Sequence, residues 1–245
     1  MANWSDPRTS AAPYAGVQAD ARDAGLRSYM LSVYNYMASG VLLTGIVSLL
    51  FAKSGWVYSM FSETGQMNAL GWVAMLAPLG IVMVMSFGQG RLSTVALQGL
   101  FWAYSLLMGV SLSFIFLVYT DTSIAQVFFA TAAGFAGLSL WGYTTKRDLS
   151  GFGTFLIMGL VGIIVASLIN LFLRSDGLSF VISVAGVLIF AGLTAYDTQK
   201  IKSMYDYVRG TDMVGKTVIM GALTLYLDFI NMFLFLLRLF GSSRN

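Results

Sequence analysis

Residues 217–237 read TVIMGALTLYLDFINMFLFLL, an apolar run between Lys216 and Arg238 that carries a single charge, Asp228. A helix needs about 20 predominantly apolar residues to cross the hydrocarbon of a bilayer, and this run has that reach with no Pro in it. A carboxylate in the middle of such a helix costs about 2.5–3.5 kcal/mol on insertion scales, and it ordinarily faces a cavity or a partner. The stretch therefore reads as a transmembrane helix with a functional residue inside it.

The intervals between charged residues upstream write the rest of the topology. Arg27 to Lys53, Glu63 to Arg91, Arg91 to Asp121, Asp121 to Lys146, Asp148 to Arg174 and Asp176 to Asp197 are each free of charge and long enough to span. With the final run they predict an all-α membrane protein, a bundle of seven transmembrane helices. Composition agrees: 57% of the 245 residues are hydrophobic and 10% charged, where a soluble domain carries roughly a quarter charged. Mean hydropathy is +0.76. A β-barrel would show short alternating segments instead of long unbroken runs. Small residues four apart, Ala130 with Gly134 and Ala133 with Gly137, are read as helix-packing positions.

Residues 1–28 are polar and carry Pro7 and Pro13, and they are expected to form a short mobile cytoplasmic tail ahead of a transmembrane domain at 29–241. The first apolar run is too long for a cleavable signal peptide and stays as the first helix. Arg8, Arg22, Arg27, Arg91, Lys146, Arg147, Lys200, Lys202, Arg209 and Lys216 fall on the side of the N-terminus, and Lys53, Arg174, Arg238 and Arg244 on the other. The excess of basic residues assigns the N-terminus to the cytoplasm and the C-terminus to the outside.

The chain has no Cys and no His, which removes thiol catalysis, disulfides, imidazole metal sites and histidine acid–base chemistry. No phosphate-binding glycine motif is present. A net charge of +3, dispersed along the chain, is no nucleic-acid footprint. No enzymatic function is expected and no cofactor; what titrates must be a carboxylate.

Glu63, Asp121, Asp148, Asp176, Asp206 and Asp212 sit at helix ends and read as solvated charges. Asp197 lies in FAGLTAYDTQKIKSMYDY, which continues without Gly or Pro to Gly210, so the sixth helix is expected to run past the bilayer surface. The turn then falls in RGTDMVG, residues 209–215, centred on Asp212. In an antiparallel hairpin, residues equally far from the turn lie at similar depth. Asp197 and Asp228 are nearly equidistant from Asp212 and should face each other.

Thr224, Asp228 and Asn231 share one face of the last helix with Gly221, and Thr194, Asp197 and Ile201 share one face of the sixth. Two carboxylates in contact cannot both ionise freely, so the pair shares a proton and senses pH without histidine. Deprotonated, it is an oxygen site suited to a hard cation such as Ca²⁺, and protons and the ion would compete. Arg91, in SFGQGRLSTVAL, has two readings: a loop charge, or a counter-ion latching the acid pair. Lys200, three residues after Asp197, offers a local alternative.

At AYDTQKIK, around Asp197, and LYLDFINMFLFLLRLFG, around Asp228, the sequence resembles the Bax inhibitor family, also called the transmembrane Bax inhibitor motif family, in its bacterial branch. The resemblance covers roughly residues 25–241. It implies six helices around a central seventh, and a multi-pass protein of the bacterial inner membrane. It further implies a pH-dependent Ca²⁺ leak in which Asp197 and Asp228 form the sensing and ion-binding pair and Arg91 the latch. The family's ties to a membrane protease in bacteria and to cell-death suppression in eukaryotes make a non-transporting regulator the main alternative. An intramembrane aspartyl protease is remote, because no glycines flank the second acid and no Pro-Ala-Leu triplet follows it. A retinal protein would need a lysine deep in the last helix, and Lys216 lies at its start.

Overall fold

A computed structural model of the chain describes residues 11–244, with side chains described from residue 20. Among these residues, seven helices are long and apolar enough to cross a membrane. They are α1 (Ala11–Lys53), α2 (Ala69–Gly88), α3 (Thr94–Leu112, prolonged by a further turn at Ile115–Val118), α4 (Asp121–Thr144), α5 (Ser150–Leu173), α6 (Asp176–Val208) and α7 (Met213–Phe240). Each charge-free interval of the sequence has become one helix. The boundary expected at residue 28 is no break, because α1 is continuous from Ala11 to Lys53; Asp6, Pro7 and Arg8 of the expected tail lie outside the described residues.

Helix starts follow the capping rule that a short polar side chain satisfies an orphan backbone N–H. Asn68, Ser93, Thr120 and Ser175 accept from the amides of Gly71, Ala96, Ser123 and Leu178 respectively. Asn68 also donates to the carbonyl of Ser59, tying the start of α2 to a 3₁₀ turn at Trp56–Met60. The α6–α7 turn closes at Gly210, whose φ of 75° is readily adopted only without a Cβ.

Polar bonds gather the helix ends into two sets. At one end Arg22 donates from Nε (2.8 Å) and Nη2 to the Asp206 carboxylate, Lys202 Nζ donates to the Tyr143 carbonyl (2.7 Å), and Lys216 Nζ to the Gln89 carbonyl (3.4 Å). At the other, Asp121 accepts from Lys53 Nζ (3.1 Å) and Arg244 Nη2 (2.7 Å), while the Thr120 amide donates to the Ser242 carbonyl. This partition is the one read from the charges. Asp121 and Asp206 are thus partnered ties between elements, beyond the solvated charges expected of them.

Helix α7 packs against α1, α3, α4 and α6. Two-thirds of its most apolar window is buried, against about a tenth for α5. Helix α5 rests chiefly on α6, leaving most of its circumference open.

The close helix approaches are not where the small-residue spacing put them. Gly134 and Gly137 face open space, whereas a Cβ on Gly142 would run into the carbonyl oxygen of Ala195 on α6. Spacing alone does not say which face of α4 turns inward. Because the obstacle is backbone, Gly142→Val is expected to destabilise the fold by about 1–3 kcal/mol while Gly137→Ala is nearly neutral, read as thermal denaturation of the detergent-solubilised protein. Equal melting of the two variants would contradict this contact.

Candidate functional site

The α6–α7 hairpin sets the register of the site. With the turn at residues 209–212, Asp197 on α6 and Asp228 on α7 come to the same level and line one cavity. Asp197 is 9% exposed and Asp228 4%. Close passage of the helices is permitted by Gly221, where an added Cβ would sit 3.2 Å from Ile201 Cγ2. Asp228 Oδ2 is buried and has no hydrogen-bond partner among the described residues. A buried carboxyl oxygen without a donor is costly, so the position is set for a proton, a water or a cation.

Both acids line a cavity of about 640 Å³ between α5, α6 and α7. Thr224 and Asn231 line it too, as the helical spacing predicted. Asn231 Nδ2 is committed to the Leu227 carbonyl (2.8 Å), and the Thr224 hydroxyl donates to the Met220 carbonyl (3.1 Å). Their remaining oxygen lone pairs are what a ligand in the cavity would meet. Thr194 is not part of the lining; fully buried, its hydroxyl donates to Phe190 O (2.8 Å) within α6. Among the described residues no third acid joins the pair. Two carboxyls with an amide and a hydroxyl oxygen fall short of the six to eight oxygen ligands of a tight calcium cage.

Arg91 is not brought to the acids. Helix α2 ends at Gly88, the chain turns through Gln89 and Gly90, and the Arg91 amide donates to the Gly88 carbonyl (2.9 Å). The side chain is left exposed on that turn with no ion pair to either aspartate among the described residues. A guanidinium keeps its hydration there, which a buried seat beside two acids sharing a proton would not repay. Of the two readings open to Arg91, this conformation has the loop charge. The cation at the cavity is Lys200, whose field acts on Asp197 and whose ammonium lies 5.9 Å from the centroid of the Tyr196 ring.

Three features escaped sequence reading. Ser167 lines the cavity from α5, and its only signal was a lone hydroxyl in an apolar run. Tyr34 Oη, Ser139 Oγ and Thr198 Oγ1 form a chain of hydroxyls (2.6 and 2.8 Å) joining α1, α4 and α6, with Thr198 next in sequence to Asp197. Tyr226, two residues before Asp228, is fully buried; its hydroxyl meets Thr44 Oγ1 at 2.7 Å, and Thr44 also donates to the Ser105 carbonyl (2.8 Å).

Comparison with known proteins covers nearly the whole chain. Residues 26–245 match the family described as "Inhibitor of apoptosis-promoting Bax1". The uncharacterized protein RP147 of Rickettsia prowazekii (strain Madrid E) is 51% identical over 224 residues, spanning 91% of this chain and 93% of that protein. Inner membrane protein YbhL of Escherichia coli (strain K12) is 48% identical over 223 residues, 90% of this chain and 94% of YbhL. An uncharacterized membrane protein of Streptococcus pyogenes serotype M6, M6_Spy0327, is 42% identical over 221 residues, 90% of this chain and 95% of its own length.

Proposed function

Because the chain belongs to the Bax inhibitor-1 family of multi-pass membrane proteins, we propose that it is a pH-dependent calcium leak gated by the Asp197–Asp228 pair. In this reading the protein lies in the bacterial inner membrane, N-terminus inside and C-terminus outside, with six helices around the central α7. It carries no cofactor and is not an enzyme; Ca²⁺ is its cargo, and a membrane protease is a candidate partner. One observation carries the proposal: two buried carboxyls at the same level line one cavity, and one of their oxygens is left without a donor.

With one proton between them the acids form a clasp that holds α6 against α7. Loss of that proton places two negative charges in contact, which weakens the clasp and creates the oxygen site for the cation. Protons and Ca²⁺ then bias one two-state element in opposite directions. The counter-ion assigned to Arg91 has no contact to support it in this conformation, so the gate rests on the pair and on Lys200.

The test is Ca²⁺ flux into proteoliposomes holding the purified protein, measured at several pH values. Flux is expected above that of empty vesicles and to change with pH. Lys200→Gln should move the midpoint of the pH response, because it removes the cation nearest Asp197, and Arg91→Ala should leave it in place. Flux no greater than in empty vesicles at every pH would refute the leak and favour a non-transporting regulator that uses the same clasp to bind a partner. A midpoint that moves with Arg91→Ala and not with Lys200→Gln would return the latch to Arg91.

A further inference from the structure

Next to the cavity that holds the acid pair, at the end of the bundle where α5 begins, lies a smaller one of about 280 Å³. Tyr196 and Lys200 line both. Around the smaller cavity stand Lys146, Arg147, Ser150, Gln199 and Ser203, with Asp148 as the acid among them. We propose that this composite groove binds one anionic phospholipid, its phosphate at Lys146, Arg147 and Lys200 and an acyl chain laid along the cleft between α5, α6 and α7.

The basic mouth is built. Gln199 of α6 donates from Nε2 to the Arg147 carbonyl (2.8 Å) and accepts at Oε1 from the Leu149 amide (2.9 Å), so one side chain clamps both edges of the loop that carries the two cations. Leu149 is buried beneath it. Asp148 is turned to its own helix start, its Oδ1 accepting from the Ser150 amide (2.9 Å), and these bonds hold its carboxyl below the usual aspartate range. It therefore stays a carboxylate, one negative charge among the cations of the mouth. Among the described residues none of Lys146, Arg147 and Lys200 forms an ion pair with an acid. Lys146, Arg147 and Lys200 against the one carboxylate of Asp148 leave the mouth with a net positive charge, which favours an anion.

Beyond the mouth most of the lining is apolar, with Leu160, Ile164, Leu168 and Phe190 among its walls, while Asp197, Thr224, Asp228 and Asn231 face the same cavity from α6 and α7. On α5 it extends from Ile157 to Leu171, about 21 Å at a rise of 1.5 Å per residue. That exceeds the ~15 Å depth of one leaflet's hydrocarbon, so an acyl chain fits along it while its phosphate stays at the interface. Because α5 packs chiefly on α6, the side toward α7 is open for lateral entry. A soluble anion would use the mouth alone. An amphiphile matches both halves.

Binding is read directly, by native mass spectrometry of the delipidated full-length protein titrated with phosphatidylglycerol, with phosphatidylcholine of the same chains, and with inorganic phosphate. Phosphatidylglycerol is expected to bind at least about tenfold more tightly than phosphatidylcholine. Lys146→Gln combined with Arg147→Gln should abolish that preference, and Gln199→Ala should weaken it by releasing the loop. Arg174→Gln combined with Arg238→Gln, at the opposite end, removes equal charge and should leave it intact. Thermal denaturation of each variant separates lost binding from lost fold. Three results would overturn the proposal: equal binding of the two lipids, an equal loss in the opposite-end variant, or full competition by inorganic phosphate, which would make the mouth a free-anion site with no chain in the groove. Since no flux is measured, failure here leaves the calcium reading standing, and failure there leaves this one.

Discussion

Asp228→Asn is expected to remove the pH dependence of Ca²⁺ flux while leaving the bundle folded. Asparagine keeps the shape of the side chain and its capacity to bond to Asp197, and it has no proton to lose over the range from about pH 5 to pH 8. In the parent, a fall in pH fills the pair with a proton and a rise empties it, so Ca²⁺ and protons compete for the same oxygens. Raising Ca²⁺ should therefore shift the parent's response toward lower pH. In the variant the pair holds at most one negative charge, and its affinity for the ion should fall by at least about tenfold, because oxygen sites weaken as charged ligands are lost. Flux across a pH series at two Ca²⁺ concentrations checks both statements. A variant that responds to pH as the parent does would remove Asp228 from the sensor role. Asp197→Asn should behave alike if the pair titrates as a unit.

The hairpin that brings these acids level is legible in the sequence, because depth in an antiparallel hairpin depends only on distance from the turn, and Gly210 with its neighbours marks the turn. The seven spans were legible for a similar reason: a bilayer forbids charge over about 20 residues, so the charges punctuate the topology. Arg91 shows where such reasoning ends. Its expected depth matched that of Asp197, but depth says nothing of lateral position, and Gly88 to Gly90 turn the chain outward. Gly134 and Gly137 make the same point for helix faces, since the apolar residues of α4 favour no one side and hydrophobic periodicity could not say which is buried. The cavity was illegible too. It exists because α5 leans chiefly on α6, and the packing partners of a helix in lipid are not set by its polarity.

Tyr226→Ala should be the most destabilising single change near the site, at about 3–5 kcal/mol, because it empties the space of a large aromatic at a place that cannot collapse. Tyr226 is fully buried, with its ring edge-on to Tyr104 (centroids 5.0 Å apart) and to Phe101 (6.2 Å). Its hydroxyl meets Thr44 on α1, so a single side chain locks α7 to α1 and α3 at once. That lock is also what fixes the rotation of α7. Residues two apart on a helix point to different sides, so seating Tyr226 against α1 and α3 turns Asp228 toward α6 and the cavity. Tyr226→Phe separates the two contributions: it keeps the ring and loses only the hydroxyl, and since Thr44 retains its bond to the Ser105 carbonyl, the cost should stay near 1 kcal/mol. Thermal or denaturant unfolding in detergent measures both. If Tyr226→Phe cost as much as Tyr226→Ala, the hydroxyl bond and not the packed ring would be what holds α7 in register, and Thr44→Val would then have to reproduce the loss.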